Sequence, residues 1–220
     1  MCSSDLVSKS LDGYFKTARA NIDPRAGRAR DADWLAKVRV VSQTQPLLPP
    51  SIRPEVFEAV SDALYRDEWL EIVYTRPRSK PRPSRVMPLG LCQQGPRLFL
   101  VCQFDGFSDS RIVALHRMQS AKSTGLRFER PVDFNLDRYI ADGKFGFGEG
   151  KRVRMTFCIT KAAGEHLLET PLSTDQTVEE LDEHYRISAT VVESGQLTWW
   201  LRGFGDAATA IKTEPIEHRS

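Results

Sequence analysis

Leu70-Glu71-Ile72-Val73-Tyr74, Arg85-Val86-Met87-Pro88-Leu89-Gly90-Leu91, Leu98-Phe99-Leu100-Val101 and Arg111-Ile112-Val113-Ala114-Leu115-His116-Arg117-Met118 are short runs rich in branched and aromatic residues. Pro/Arg/Ser, Gln-Gln-Gly-Pro and Asp-Gly-Phe-Ser-Asp segments separate them, and such residues punctuate turns. We therefore read strands over 69–75, 85–91, 97–104 and 111–118. In the third, Leu98, Leu100, Cys102 and Phe104 share one face, and Phe99, Val101 and Gln103 the other. Strands joined by short turns, with no helix between them, imply an antiparallel sheet curled into a small barrel.

Upstream, Pro54 sits where a first helical turn accepts proline, and Val56, Phe57, Val60, Ala63 and Leu64 follow at helical spacing. A further helix is expected over 6–20, with Leu6, Val7, Leu11, Phe15 and Ala18 along one face. A polar connector (25–33) and an apolar restart at 34–41 follow it. Downstream of the glycine-rich 145–150, the order reads strand (153–159), helix (161–169), strand (177–181), strand (185–192), helix (195–201) and strand (208–213). Thr160 and Ser194 are the expected helix N-caps, and Gly203 and Gly205 suit the end of the second helix. This βαββαβ order is that of a ferredoxin-like sandwich.

Composition narrows the function. The chain has 220 residues, enough for one large domain or two small ones. Its formal net charge of +2 conceals a local cluster, Arg76, Arg78, Lys80, Arg82 and Arg85, with no acid among them. A local cluster argues for a site rather than for nonspecific attraction. The four cysteines show neither CxxC pairing nor histidines at metal-ligand spacing, so neither a metal nor a cofactor is expected. No stretch has the length and apolarity of a membrane span, and a cytoplasmic setting is expected.

The stretch from Leu70 to Met118 resembles the WYL domain of transcriptional regulators. Residues 70–74 look like its opening strand, and Arg85-x-x-Pro88-x-x-Leu91 like its second. Leu98-Phe99-Leu100 occupies the place of the name-giving Trp-Tyr-Leu, and 111–118 is similar to its Arg-x-Phe-x-Leu-x-Arg-Ile strand. Residues 131–148, with Phe134, Leu136, Asp137 and Tyr139, look like the family's usual connector, and Asp175–Glu179 and Leu197–Gly205 resemble landmarks of the C-terminal WCX-type extension. Where many members carry a polar residue after the second-strand proline, this chain has Leu89. The resemblance implies an α+β chain: N-terminal helices, a small antiparallel SH3/Sm-like β-barrel, then a ferredoxin-like extension. The expected boundaries are 1–33 (helix and connector), 34–68 (linker strand and helix), 69–130 (barrel), 131–150 (connector) and 151–220 (extension). Members usually begin with a winged helix-turn-helix, for which the residues before Trp34 leave no room. Operator DNA is thus expected to be reached only through a domain missing from this sequence.

The chemistry of the strand ends fits an anion. Read on one regular strand, Arg111 and Arg117 are six residues apart and leave from the same face. Arg85 and Tyr74 lie on neighbouring strands. Guanidinium groups suit bidentate recognition of phosphate, and a base can stack on Tyr74 or on arginine. Tyr74, Arg85, Arg111 and Arg117 are therefore the expected ligand-binding set, for a nucleotide or oligonucleotide, the ligand class that the resemblance implies. A solvated basic rim is the competing reading. On the same regular strand His116 faces the other way and is read as structural, and the 76–82 cluster as a solvated hairpin that steers anions. At least one of Trp199 and Trp200 is expected in a core.

No catalytic set is expected. Ser108-Asp109-Ser110 with His116 lacks a second base or a strained Gly-x-Ser-x-Gly turn, and 146–150 lacks the lysine of a phosphate loop. The expected function is the ligand-sensing and dimerising part of a regulator acting as a homodimer. The alternative is a stand-alone RNA- or single-strand-binding module.

Overall fold

The computed structural model describes residues 45–216, so the expectations for 6–20 and 34–41 lie outside the described residues. The chain divides into two compact units, at Val132 and Asp133.

In the first unit, α1 (Pro54–Arg66) starts with Pro54 in its first turn. Val56, Phe57, Val60 and Ala63 form its buried stripe. Asp67, in the left-handed region at φ 52°, ends it by returning its N–H to the Ala63 carbonyl. Five strands follow: β1 (Glu68–Tyr74), β2 (Arg82–Gln94), β3 (Arg97–Phe104), β4 (Ser110–Ala114) and β5 (Met118–Arg127). They form one antiparallel sheet in the order β4-β3-β2-β1-β5. The α1 stripe packs with Leu70, Ile72, Val86, Leu98, Leu100, Cys102, Val113, Leu115 and Met118 into a single core. Burial pushes the Cys102 thiol up to about 12, which suits an inert core residue.

Two expectations are corrected here. The sheet is open: β4 and β5 are its edges and no ladder joins them. The strand expected over 111–118 stops at Ala114, and Leu115–Arg117 form a 3-10 turn that leads into β5. Val113, Ala114 and Leu115 are all buried. The turn keeps Leu115 in the core while ending the strand's alternation before His116 and Arg117. Because three residues span roughly 10 Å at most, the two sheet edges approach each other at that end. Pro83 is tolerated in β2 because it pairs Val73 of β1 beyond the last β3 partner, Phe104 opposite Val86.

In the second unit, Asn135 caps α2 (Leu136–Ala141) by accepting from the Arg138 N–H. The strands β6 (Arg152–Thr160), β7 (Thr177–Glu180), β8 (His184–Val192) and β9 (Ala208–Pro215) form an antiparallel sheet in the order β7-β8-β6-β9. Along β6 burial alternates, with Val153, Met155, Phe157 and Ile159 inward. Between β6 and β7 the expected single helix is two short ones, α3 (Lys161–Gly164) and α4 (His166–Glu169), and Thr160 makes no side-chain cap. Ser194 does cap α5 (Gly195–Gly203), accepting from the Leu197 N–H. Trp200 packs edge-on against Phe157 and Phe204 in the core, whereas Trp199 is exposed beside Phe147. The Asp175 carboxylate gathers the strands: it accepts from Ser173 Oγ, Thr190 Oγ1, the Thr190 N–H and Arg154. Those hydrogen bonds, led by the two hydroxyls, hold its pKa well below the usual carboxylate range.

Candidate anion-binding site

The first unit presents its arginines in two different electrostatic settings. The first surrounds the β3–β4 turn. Arg85 donates from Nε to Asp105 Oδ2 at 3.0 Å and from Nη2 at 2.5 Å, and its guanidinium lies 5.2 Å from the Trp69 ring centroid. Arg111 is held in a bidentate pair by Asp109, at 2.6 and 3.1 Å, and stacks over Phe107 (4.6 Å) and Phe104 (5.4 Å). The pairing shows in both partners: the hydrogen bond to Arg111 holds the Asp109 carboxyl below its ordinary value, and Asp109 raises Arg111. These two cations are already matched by carboxylates.

The second setting is an open cleft of about 480 Å³ lined by Arg53, Arg76, Arg78, His116, Arg117 and Gln119, with Thr75, Pro77, Ser79 and Met118. Among the described residues, no acidic residue lines it. Its walls come from three places in the sequence: the approach to α1, the β1–β2 turn, and the 3-10 turn. Backbone bonds tie them together, from the Thr75 N–H to the Arg117 carbonyl (3.1 Å) and from the Ser79 N–H to the Arg76 carbonyl (3.1 Å). Arg53 Nη1 donates to the Gln119 carbonyl at 3.0 Å. Among the described residues, Arg76, Arg78 and Arg117 have no salt bridge. Unmatched guanidiniums converging on a concave surface are the arrangement that attracts an anion.

Of the four residues expected to bind ligand, Arg117 lines this cleft, and Arg85 and Arg111 stand at the β3–β4 turn. Tyr74 pairs with Arg82 and Met118 across its two ladders and packs against the core. The face argument joining Arg111 to Arg117 does not apply, because the 3-10 turn intervenes. The same turn brings His116 into the cleft, against the expectation that it faces away. Burial first, then the Arg117 and Arg97 cations, hold the His116 imidazole below its ordinary pKa. Arg53, Thr75 and His116 are the lining residues that sequence reasoning missed. Arg76 and Arg78 were visible as a charge cluster but not as part of a wall.

Arg78 sits at φ 60°, a left-handed conformation that a non-glycine residue adopts at a cost. Replacing it with glycine relieves that strain and removes a cleft cation. R78G is expected to raise stability by about 0.5–1 kcal/mol in urea unfolding while weakening anion binding. Unchanged binding would remove Arg78 from the site.

The two units coincide with matches to two known domain families. The WYL domain family matches residues 55–123, and the WCX domain family matches residues 151–216. The chain belongs to the WYL-domain family, with a WYL domain followed by a WCX domain. Among solved structures it is similar to Proteasome accessory factor B/C (PafBC) of Arthrobacter aurescens, at 20% identity and a TM-score of 0.40. That match covers 81% of this chain and 27% of that one, so the chain spans about a quarter of its neighbour's length. No curated protein matches it. Among the described residues there is no cluster of three or more His, Cys, Asp or Glu that could hold a metal, and no helix long and apolar enough to cross a membrane.

Proposed function

We propose that this chain is the ligand-sensing part of a transcriptional regulator, and that its cleft receives an anionic ligand of the nucleotide or oligonucleotide class. One observation carries the reading. Among the described residues, Arg76, Arg78 and Arg117 have no salt bridge and converge with Arg53 on a concave surface that no described carboxylate lines. Arg117 anchors the ligand and the β1–β2 turn closes over it. Arg85 and Arg111, each matched by an aspartate, form a flanking patch whose exposed Phe107 offers a face for a base. The order β7-β8-β6-β9 supports a ferredoxin-like description of the WCX unit.

The test is titration of a labelled short oligothymidylate at two or more salt concentrations. Engagement of about three cleft cations predicts a log–log slope near −2 for a single strand. Undetectable binding at low salt would refute the anion site.

We also propose a homodimer. Leu197 and Leu201 pack against the core of the second unit, leaving Trp199 and Phe147 as an exposed aromatic pair. Sedimentation is expected to show a dimer at tens of micromolar, and a monomer there would contradict the assembly.

The exposed Phe107 beside Arg111 also favours a second reading, a stand-alone single-strand-binding module. A helix-turn-helix encoded upstream in the same reading frame decides against it.

A further inference from the structure

Two buried side-chain polar atoms among the described residues have no hydrogen-bond partner, Thr75 Oγ1 and His116 Nδ1. Both residues line the basic cleft. Unsatisfied buried polar groups are rare because each forfeits its hydration without replacement, and they concentrate where function requires them. The charged groups around His116 are all of one sign. Arg117 is on its own turn, Arg97 opens β3, Arg53 precedes α1, and Arg76 and Arg78 come from the β1–β2 turn. Among the described residues, no carboxylate in the cleft offsets them.

Resting on the reading of this cleft as an anion site, we infer that it is built for the doubly charged terminal phosphate of a nucleotide or oligonucleotide, and that His116 takes up a proton as that phosphate binds. Charge and shape favour a terminal group over an internal one. A phosphomonoester carries about 1.5–2 negative charges at neutral pH and three strong acceptor oxygens. An internal phosphodiester has one charge and two such oxygens, and it brings a nucleoside on each side. Among the described residues, no Phe, Tyr or Trp ring lines the cleft to stack on those bases, whereas its guanidiniums suit a charged head.

The proton follows from the same electrostatics. Burial, then the Arg117 and Arg97 cations, favour the neutral imidazole. A dianion among those cations reverses the local potential and favours the imidazolium. The proton comes from solvent, and the ring nitrogens then both carry N–H donors. Linkage makes the coupling reciprocal: the factor by which phosphate raises the proton affinity of His116 is the factor by which the proton tightens phosphate binding.

The experiment uses the full chain with thymidine dinucleotide, with and without a 5′-phosphate. Affinities are measured by calorimetry near pH 7.5 in two buffers of different ionisation enthalpy, which counts protons taken up. The His116 ring resonance, assigned by its loss in H116Q, is followed through a pH titration of the free and bound chain. The phosphorylated probe is expected to bind about tenfold more tightly. Its binding should show net proton uptake and raise the His116 midpoint by about one pH unit. Equal affinities, or binding without proton uptake, overturn the inference while leaving the anion site standing. Failure of both probes to bind removes the inference and the anion site together. If H116Q does not fold, the two-buffer calorimetry on the unmodified chain decides the matter alone.

Discussion

Arg117→Ala should weaken oligonucleotide binding by about 1.5–3 kcal/mol, the range for hydrogen bonds to a charged group. Arg117 stands at the junction of the 3-10 turn and the β1–β2 turn, its carbonyl held by the Thr75 N–H, and among the described residues no carboxylate lines the cleft around it. Its charge is therefore available to a ligand. Arg117→Lys should lose much of the same energy, because an ammonium cannot reproduce the bidentate fork. Arg111→Ala should cost far less than Arg117→Ala, and that effect should fade with added salt, since Asp109 already neutralises the guanidinium. The ranking matters more than any one value. A solvated basic rim predicts small, similar, salt-sensitive losses at Arg78, Arg111 and Arg117, and equal losses in titrations at two salt concentrations would favour it.

Phe157→Ala should destabilise the second unit by about 3–5 kcal/mol, the usual cost of deleting a fully buried phenylalanine. Its ring is wholly buried between Met155 and Ile159 on β6 and meets the edge of Trp200. The loss therefore removes apolar burial and an aromatic contact together. Denaturant unfolding followed by tryptophan fluorescence reports it, because Trp200 stands against the deleted ring. A loss below about 1 kcal/mol would mean that the unit repacks around the site or is not organised on Phe157.

How far the sequence revealed this arrangement depends on whether local periodicity or tertiary contact places a residue. The β1 to β3 strands and α1 were legible because burial follows their periods: Leu98, Leu100 and Cys102 point inward along β3, and Val56, Val60 and Ala63 along α1. The β5 strand was not legible. Past the buried Met118, Gln-Ser-Ala-Lys-Ser-Thr-Gly-Leu-Arg buries no residue fully and carries no apolar alternation, as an edge strand can. The end of β4 misled for a specific reason. Continuing its period through Leu115 sends His116 away from Arg117, whereas the 3-10 turn gathers both into one cleft.

Within the site, residue type was legible and grouping was not. The arginines stood out as a charge cluster, but their pairing depended on Asp105 and Asp109, which read in sequence as turn formers. Nor does any local pattern bring Arg53 to Gln119. That contact exists because α1 packs along β5, a consequence of the apolar stripe on the helix and not of the arginine itself.

The most direct test of the central claim, that the anion site is the cleft at Arg117, is an amide NMR titration of the chain with 5′-phosphorylated thymidine dinucleotide. The largest shifts are expected at Thr75, Arg76, Arg78, His116, Arg117 and Gln119, with the Asp105–Arg111 turn moving less. Shifts concentrated at Asp105, Phe107 and Arg111, with the cleft amides unmoved, would place the ligand on the aspartate-matched arginines and contradict the account.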